Sequence, residues 1–144
     1  MFSVPIKEML DPRKMLVAAP DASVAEAARL MARKKAGAVM VVVGQRLTGI
    51  FTERDAVFRV MAHGLDANAT RLEAVMTPDP FTVSPDKTYG YALLLMQRNG
   101  FRHVPVTVDG KPVGIVSARN ALDPELEEFT SETQRRLHLM ASAA

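Results

Sequence analysis

The second half of this chain repeats the first, and this duplication limits the fold more than any other feature of the sequence. Pro85 follows Pro20 by 65 positions, and Gly114 follows Gly49 by the same 65 positions. Identical residues at this offset are spread over the whole span: Asp21/Asp86, Met31/Met96, Val41/Val106 and Arg54/Arg119. Each copy has too little sheet to bury both faces of its helices, so we expect the two copies to share a core.

Hydrophobic periodicity and turn residues predict the order β-α-β-β-α in each copy, which is an α/β (α+β) fold class. The predicted strands are Leu16–Ala18, Ala38–Val43 and Leu47–Phe51 in the first copy, and Phe81–Val83, His103–Val108 and Pro112–Val116 in the second. Capping-box patterns at Ser23 and at Thr70 predict helix starts. Gly37 and Gly100 stand where the central helices should end in a left-handed residue. Asp109-Gly110 predicts a tight hairpin turn.

The repeat also predicts the domain organisation. We expect residues 1–66 to form the first repeat, residues 67–124 the second, and residues 125–144 a C-terminal helical segment. An apolar stripe runs along that segment through Leu126, Phe129, Thr133, Leu137 and Met140. The stripe would pack either within the monomer or against a second chain.

Composition and missing motifs exclude several classes of protein. The 144 residues carry a net charge of only +2, so nucleic acid is an unlikely partner. The chain contains no cysteine, which excludes disulfides and thiolate metal sites. The three histidines are scattered without metal-ligand spacing. The sequence also contains no P-loop of the form G-x-x-x-x-G-K-[ST], no dinucleotide-binding G-x-G-x-x-G motif and no nucleophile elbow. We therefore expect that the protein is not an enzyme. We further expect no secretory signal and no membrane span, and a cytoplasmic location.

One seven-residue motif occurs in both copies, as GIFTERD at 49–55 and as GIVSARN at 114–120. Each version places a glycine and a hydroxyl residue before the first turn of a helix, where backbone N–H groups stabilise negative charge. The spacing from Thr52 to Asp55 is also that of an ordinary helix N-cap. Capping does not explain Arg54 and Arg119, because a guanidinium beside a helix N-terminus opposes the dipole unless an anion is bound. Phosphate is therefore the predicted ligand.

The motif resembles the signature of CBS domains, in which a glycine and an apolar residue precede a hydroxyl residue and, two residues later, an aspartate. Val75-Met76-Thr77-Pro78 and Arg102-His103-Val104-Pro105-Val106 resemble the same family. The resemblance covers about residues 6 to 123 and implies a tandem CBS pair, or Bateman module. In such a pair two repeats pack about a pseudo-twofold axis and leave two clefts. The family implies adenine-containing ligands there, such as AMP, ATP, NAD or S-adenosylmethionine.

The resemblance also implies roles for individual residues. Asp55 would accept hydrogen bonds from ribose hydroxyls, and Thr52 and Arg54 would hold phosphate. The second copy matches at Ser117 and Arg119, but Asn120 stands where the family has aspartate, so we expect a weaker ribose contact there.

The remaining predicted contacts concern the adenine base. Thr82 matches the family's base-binding residue, and its counterpart Val17 could read the base only through its backbone. Gly37-Ala38 and His103-Val104-Pro105 would line the adenine slots. The full predicted nucleotide-binding set is Val17, Gly37, Ala38, Thr52, Arg54, Asp55, Thr82, Arg102, His103, Pro105, Ser117, Arg119 and Asn120.

These expectations combine into a non-enzymatic sensor of adenine nucleotides that acts on an unknown effector protein. The resemblance also suggests a homodimer formed through the last helices of the repeats, with Val57, Val60 and Met61 facing the partner. The alternative is an interaction module with empty clefts, or a weak binder of single-stranded nucleic acid. Aromatic residues make up only 6% of the chain, which leaves few platforms for stacking bases.

Overall fold

The computed structural model describes residues 2–121, 132–133 and 135–141 of the chain. The first half contains β1 (Val17–Ala18), α1 (Val24–Lys34), β2 (Ala38–Val43), β3 (Arg46–Thr52) and α2 (Glu53–Asp55), which continues as a π-helical segment, Ala56–Met61. The second half contains α3 (Leu72–Val75), β4 (Thr77–Pro78), α4 (Tyr89–Asn99), β5 (His103–Val108) and β6 (Lys111–Ser117). Short 3-10 helices lie at Ile6–Glu8, Pro12–Lys14 and Ala118–Ala121. The predicted α/β class is confirmed.

The two halves share a pattern of strand pairing, but β4 of the second half adds to the first sheet, antiparallel to β3, so that the sheets have four strands and two. In the first half, β1 pairs in parallel with β2, and β2 pairs antiparallel with β3. In the second half, β5 pairs antiparallel with β6, while Val83 forms a single parallel bridge to Val106 on β5. The predicted strand Phe81–Val83 is therefore reduced to one bridge.

The hairpin turn between β5 and β6 follows the sequence prediction. Asp109 and Gly110 both have positive φ, 51° and 78°, as a two-residue turn of the type favoured by Asp-Gly requires.

Helix ends follow the sequence rules in some places and depart from them in others. Ser23 caps α1 by accepting the Glu26 N–H at 3.1 Å, as predicted. The predicted cap at Thr70 is wrong, because its hydroxyl donates to the Asp66 carbonyl at 2.8 Å and Arg71 is the N-cap of α3. Gly100 ends α4 in the left-handed conformation as predicted.

The prediction that Gly37 ends α1 is also wrong. Lys35 takes the left-handed conformation there, with φ of 53°.

The segments that precede the two halves are exchanged between their cores. Ile6 is fully buried in the core of the second half, and Leu72 is fully buried in the core of the first. Backbone hydrogen bonds match: the Ile6 N–H donates to the Lys87 carbonyl, and the Leu72 N–H to the Ala22 carbonyl, both at 2.9 Å. Each core is therefore completed by the segment that precedes the other half in the sequence.

The exchange explains the glycine of the repeated motif. A Cβ on Gly49 would collide with the Met76 side chain, and a Cβ on Gly114 would lie 2.7 Å from Leu10 Cδ2. In both halves the exchanged segment crosses directly over the glycine. Gly49 and Gly114 thus allow two segments of the chain to approach closely, and this role does not involve a ligand.

The C-terminal prediction is described only in part. Residues 132–133 and 135–141 are helical, and Leu137 and Met140 of the predicted stripe are exposed. Leu126 and Phe129 lie outside the described residues.

The described residues contain neither a membrane-spanning helix nor a cluster of metal-ligating side chains. None of the helices in this part of the chain is long and apolar enough to cross a membrane. Likewise, no group of three or more His, Asp or Glu residues within these ranges could hold a metal ion.

Candidate functional site

Two adjoining clefts lie where the halves meet, and the segment 35–37 between α1 and β2 borders both. The smaller cleft, about 50 Å³, receives residues from both halves. Five predicted site residues line it: Gly37, Ala38, His103, Ser117 and Asn120. The larger cleft, about 390 Å³, is lined mainly by the first half, with Arg119 reaching in from the second. Its volume falls within the usual range for small-molecule sites.

Gly37 allows the two halves to approach closely at this point. A Cβ on Gly37 would lie 2.8 Å from Glu53 Oε1 and 3.1 Å from His103 Nε2. Gly37 is therefore needed for contact between the halves and not for ending a helix.

The environment of His103 favours the neutral form of its imidazole. Burial lowers the pKa of His103 below its ordinary value of 6.5; the negative charge of Glu53 opposes that shift, and Arg102 and Arg119 add to it. A neutral imidazole offers one donor and one acceptor nitrogen, which suits a ligand with mixed polar groups.

The hydroxyl residues of the repeated motif form helix caps. The Thr52 N–H donates to Asp55 Oδ2 at 2.9 Å, and the Asp55 N–H donates to Thr52 Oγ1 at 3.3 Å. Asp55 Oδ1 faces Arg59 Nε at 3.5 Å. Both carboxylate oxygens of Asp55 are thus engaged inside the protein, and neither Thr52 nor Asp55 lines either cleft described above.

The second copy forms the same cap with an amide. The Ser117 N–H donates to Asn120 Oδ1 at 2.8 Å, and the Ser117 hydroxyl donates to the same atom at 3.2 Å. Asn120 therefore replaces the aspartate as a cap acceptor, and its amide nitrogen makes no hydrogen bond within the described residues. Because this pair lines the smaller cleft, the geometry favours Asn120 over Asp55 as a ligand contact.

The two arginines of the motif differ in their surroundings. Arg54 Nη1 donates to the Gly100 carbonyl at 3.2 Å, and its guanidinium lies 5.1 Å from the centre of the Phe58 ring. Gly100 stands at the C-terminus of α4, where a cation is favoured, so Arg54 has a structural partner in the other half. Arg119 instead lines the larger cleft.

Besides Thr52, Arg54 and Asp55, four further residues of the predicted set lie apart from both clefts. Val17 on β1 and the residues Thr82 and Arg102 are exposed. Pro105 is fully buried in β5, and its carbonyl accepts the Val83 N–H at 3.0 Å. The structure does not bring these four residues to the clefts.

Four charged residues at the clefts were missed by the sequence reasoning: Asp11, Lys14, Lys35 and Glu53. One signal could have identified Lys35. At the offset of 65 its counterpart is Gly100, so a lysine stands at a position where the other copy has the expected helix-ending glycine.

An acid also lines the smaller cleft, but its charge is neutralised. Asp11 accepts from Arg13 Nε at 3.0 Å and from Arg13 Nη2 at 3.1 Å. These hydrogen bonds hold the pKa of the Asp11 carboxyl below its usual value.

Two similar halves with exchanged segments and a shared, charged cleft define the class of this protein: a tandem pair of α/β repeats. A family model for the CBS domain matches residues 6–62 and 72–124. The chain belongs to the CBS-domain family, and the resemblance seen in its motifs is confirmed.

Individual relatives agree with this assignment. A solved structure of an uncharacterized conserved protein from Pyrococcus horikoshii is 29% identical, with a TM-score of 0.78 over 87% of this chain and 94% of that one. A CBS domain protein from Pyrobaculum aerophilum, solved in complex with AMP, is 26% identical, with a TM-score of 0.74 over 81% and 89% of the two chains.

A curated relative, the meiotically up-regulated gene 70 protein of Schizosaccharomyces pombe, is 34% identical over 122 residues. The match covers 77% of this chain and 17% of that protein. The chain thus spans less than a fifth of that relative's length.

Proposed function

We propose that this CBS pair is a non-enzymatic sensor that binds an adenine-containing nucleotide between its halves. The observation that carries the proposal is the pair of adjoining clefts: Gly37 and Ala38 of the first half face His103, Ser117 and Asn120 of the second in the smaller cleft, and the larger one, about 390 Å³, supplies the volume that a nucleotide needs. The AMP complex of the Pyrobaculum protein supports the same class of ligand for a related fold. A cytoplasmic location stays a prediction.

The polar groups at this cleft suit a nucleoside. The Asn120 amide can donate to a ribose oxygen or to a ring nitrogen of adenine, and the Ser117 hydroxyl can accept. The neutral His103 ring can do either. Arg119 in the adjoining larger cleft supplies a guanidinium for phosphate, while a ribose contact from Asp55 stays a prediction.

A ligand at this position would act on the arrangement of the halves. The halves are joined by the exchanged segments and by further hydrogen bonds, among them the one from the Leu47 N–H to the Gly110 carbonyl at 3.0 Å and the one from Arg54 to Gly100. A nucleotide that binds one arrangement better than another shifts the population towards it. An effector protein or a dimer interface would respond to that shift.

Isothermal titration calorimetry with AMP, ATP, NAD and S-adenosylmethionine tests the proposal. We expect saturable heat from at least one of the four, weakened strongly by His103→Gln and unchanged by His63→Gln, which alters an exposed histidine outside both clefts. If no compound gives heat or a thermal shift at millimolar concentration, the proposal is rejected. Equal effects of the two histidine variants would contradict the assigned cleft.

We propose further that the protein forms a homodimer through the helical segment Ala56–Met61. Val57, Phe58 and Met61 are exposed on it and form an apolar face. The expectation that Val60 also faces a partner is wrong, because Val60 is buried in the core of the first half. The effector protein stays a prediction without an assigned surface.

A further inference from the structure

Lys35 occupies a backbone position that normally belongs to glycine. Its N–H donates to the Ala32 carbonyl, and the Ala36 N–H donates to the Met31 carbonyl, five residues back, at 3.0 Å. This is the hydrogen-bond pattern of a Schellman helix end. In the second half, Gly100 fills the same position, with the Phe101 N–H donating to the Met96 carbonyl at 3.2 Å.

A lysine is a poor choice for this position on conformational grounds alone. Its φ of 53° is a left-handed value that L-residues other than Asn and Asp rarely adopt, whereas Gly100 adopts 73° without a steric cost. Strain of this kind persists where the surroundings hold it and is concentrated at functional sites. The contrast with Gly100 shows that ending the helix does not itself require a lysine.

The location of Lys35 indicates what the side chain is for. It is the first residue of the segment 35–37 that borders both clefts, and it lines both of them. Arg119 lines the larger cleft with it, and Lys14 lines the smaller. Lys35 therefore shares the larger cleft with Arg119 and the smaller cleft with Lys14.

Lys35 and Arg119 differ from several other cations of the chain in having no hydrogen-bonding or ionic partner among the described residues. Arg13, Arg54 and Arg59 each have an acid or a carbonyl as partner. Neither Lys35 nor Arg119 makes a side-chain hydrogen bond or ion pair with any of the described residues.

The acids at the clefts leave this excess of positive charge in place. Glu53 offsets one positive charge in the larger cleft, and in the smaller cleft Asp11 is already paired with Arg13. The junction thus keeps a net positive charge.

We infer that Lys35, together with Arg119, selects phosphorylated adenine nucleotides over uncharged adenosine and over the positively charged sulfonium S-adenosylmethionine. Two unpaired cations at one junction attract a phosphate and repel a sulfonium. The inference rests on the proposed function, because it assumes an adenine compound in the cleft, and it adds the residue that sets the charge class of that compound.

The test compares Lys35→Asn with Lys34→Asn. Asparagine tolerates the left-handed backbone, so Lys35→Asn removes the charge and leaves the helix end intact. Lys34 is the last residue of α1, exposed and outside both clefts, so Lys34→Asn removes the same charge one residue away. The probes are ADP, AMP, adenosine and S-adenosylmethionine, titrated calorimetrically into the full chain, with the melting temperature of each variant as a check of folding.

We expect Lys35→Asn to weaken ADP and AMP by about three- to tenfold, to change adenosine by less than about twofold, and to leave or improve S-adenosylmethionine binding. Lys34→Asn should leave the ratio of ADP to adenosine affinity unchanged, and Lys35→Arg should restore it.

An equal loss in the two asparagine variants, or an unchanged ratio in Lys35→Asn, overturns the inference while leaving the proposed function in place. A wild-type protein that binds none of the four compounds overturns the inference, and if ATP and NAD also fail to bind, the proposed function is overturned with it.

Discussion

At the scale of single residues, His103 carries a consequence for stability as a function of pH. Its pKa in the folded protein is lowered, chiefly by burial, below the ordinary value of 6.5. The unfolded chain therefore binds the proton more readily than the folded protein does. The contribution of His103 to stability is fully present above the ordinary pKa and is lost as the pH falls through that value towards the lower folded one.

We predict that the free energy of unfolding falls less between pH 7.5 and pH 5.5 in His103→Gln than in the wild type, an interval of about one pH unit on either side of the ordinary value. Urea denaturation at the two pH values measures this. His63→Gln, which changes an exposed histidine, is the matched control and should follow the wild type. If the free energy of unfolding of His103→Gln falls as much over this interval as that of the wild type, groups other than His103 cause the pH dependence.

Single residues also show why part of the site could not be predicted from the sequence. Gly37 was expected to end α1 because glycines often do so, yet Lys35 takes that position and Gly37 accommodates Glu53 and His103 from elsewhere in the chain. A sequence pattern reports local backbone preference, whereas a close approach between halves depends on tertiary structure. Lys35 was overlooked for the same reason, although comparison with Gly100 points to it.

At the scale of secondary structure elements, the two caps of the repeated motif form a natural experiment. Asp55 caps α2 and also faces Arg59 at 3.5 Å, and Arg59 in turn donates to the Val75 and Met76 carbonyls at 3.2 and 3.0 Å. Asn120 provides the same cap acceptor without a charge. The amide is thus sufficient for capping, and the carboxylate additionally orients an arginine that holds α3.

We predict that Asp55→Asn destabilises the protein less than Asp55→Ala, whose loss of the cap costs about 1–2 kcal/mol. Asn120→Ala, which removes only a cap, should cost about 1 kcal/mol. Urea denaturation at neutral pH gives all three values. If Asp55→Asn costs as much as Asp55→Ala, then the ion pair between Asp55 and Arg59, rather than the cap, makes the dominant contribution to stability.

Elements with strong local signals were predicted well. β2 and β5 have the predicted bounds, and the Asp109-Gly110 turn has the predicted backbone, because alternation and turn chemistry act within a few residues. The strand expected at Phe81–Val83 is only a bridge at Val83, since Phe81 is exposed and stacks on Phe101 at 5.8 Å. Pairing between residues that are distant in the sequence has no local signature.

At the scale of the whole molecule, the exposed face of the segment Ala56–Met61 leads to a prediction about assembly. Met61→Glu should convert the proposed homodimer into a monomer, because it places a charge in an apolar contact. Val43→Glu alters an exposed apolar residue on β2 and should leave the mass unchanged. Light scattering after size exclusion measures both. A wild-type protein that is monomeric throughout, or an effect of both variants alike, would contradict this interface.

The exchange of leading segments is the feature of the whole molecule that the repeat did not reveal. The offset predicted two copies sharing one core, which is wrong in that form: the described residues form two core clusters, with Ile6 in that of the second half and Leu72 in that of the first. Neither residue carries a sequence mark of its destination, since both are apolar residues near the start of a short helix. Their positions follow from the requirement that each half be completed by the other.

This exchange should make the two halves unfold together. Ile6→Ala and Leu72→Ala each leave a cavity in a fully buried site, at a cost of about 2–5 kcal/mol, and each core contains a segment belonging to the other half. We predict one calorimetric transition in the wild type and one, at lower temperature, in each variant.

Lys7→Ala, which changes an exposed residue beside Ile6, is the control and should cost no more than about 0.5 kcal/mol. Two resolved transitions, of which Ile6→Ala moves only one, would show that the halves are independent. A single transition that both core variants lower supports a mechanism in which a ligand between the halves is felt throughout the molecule, because neither half then has a stable fold without the other.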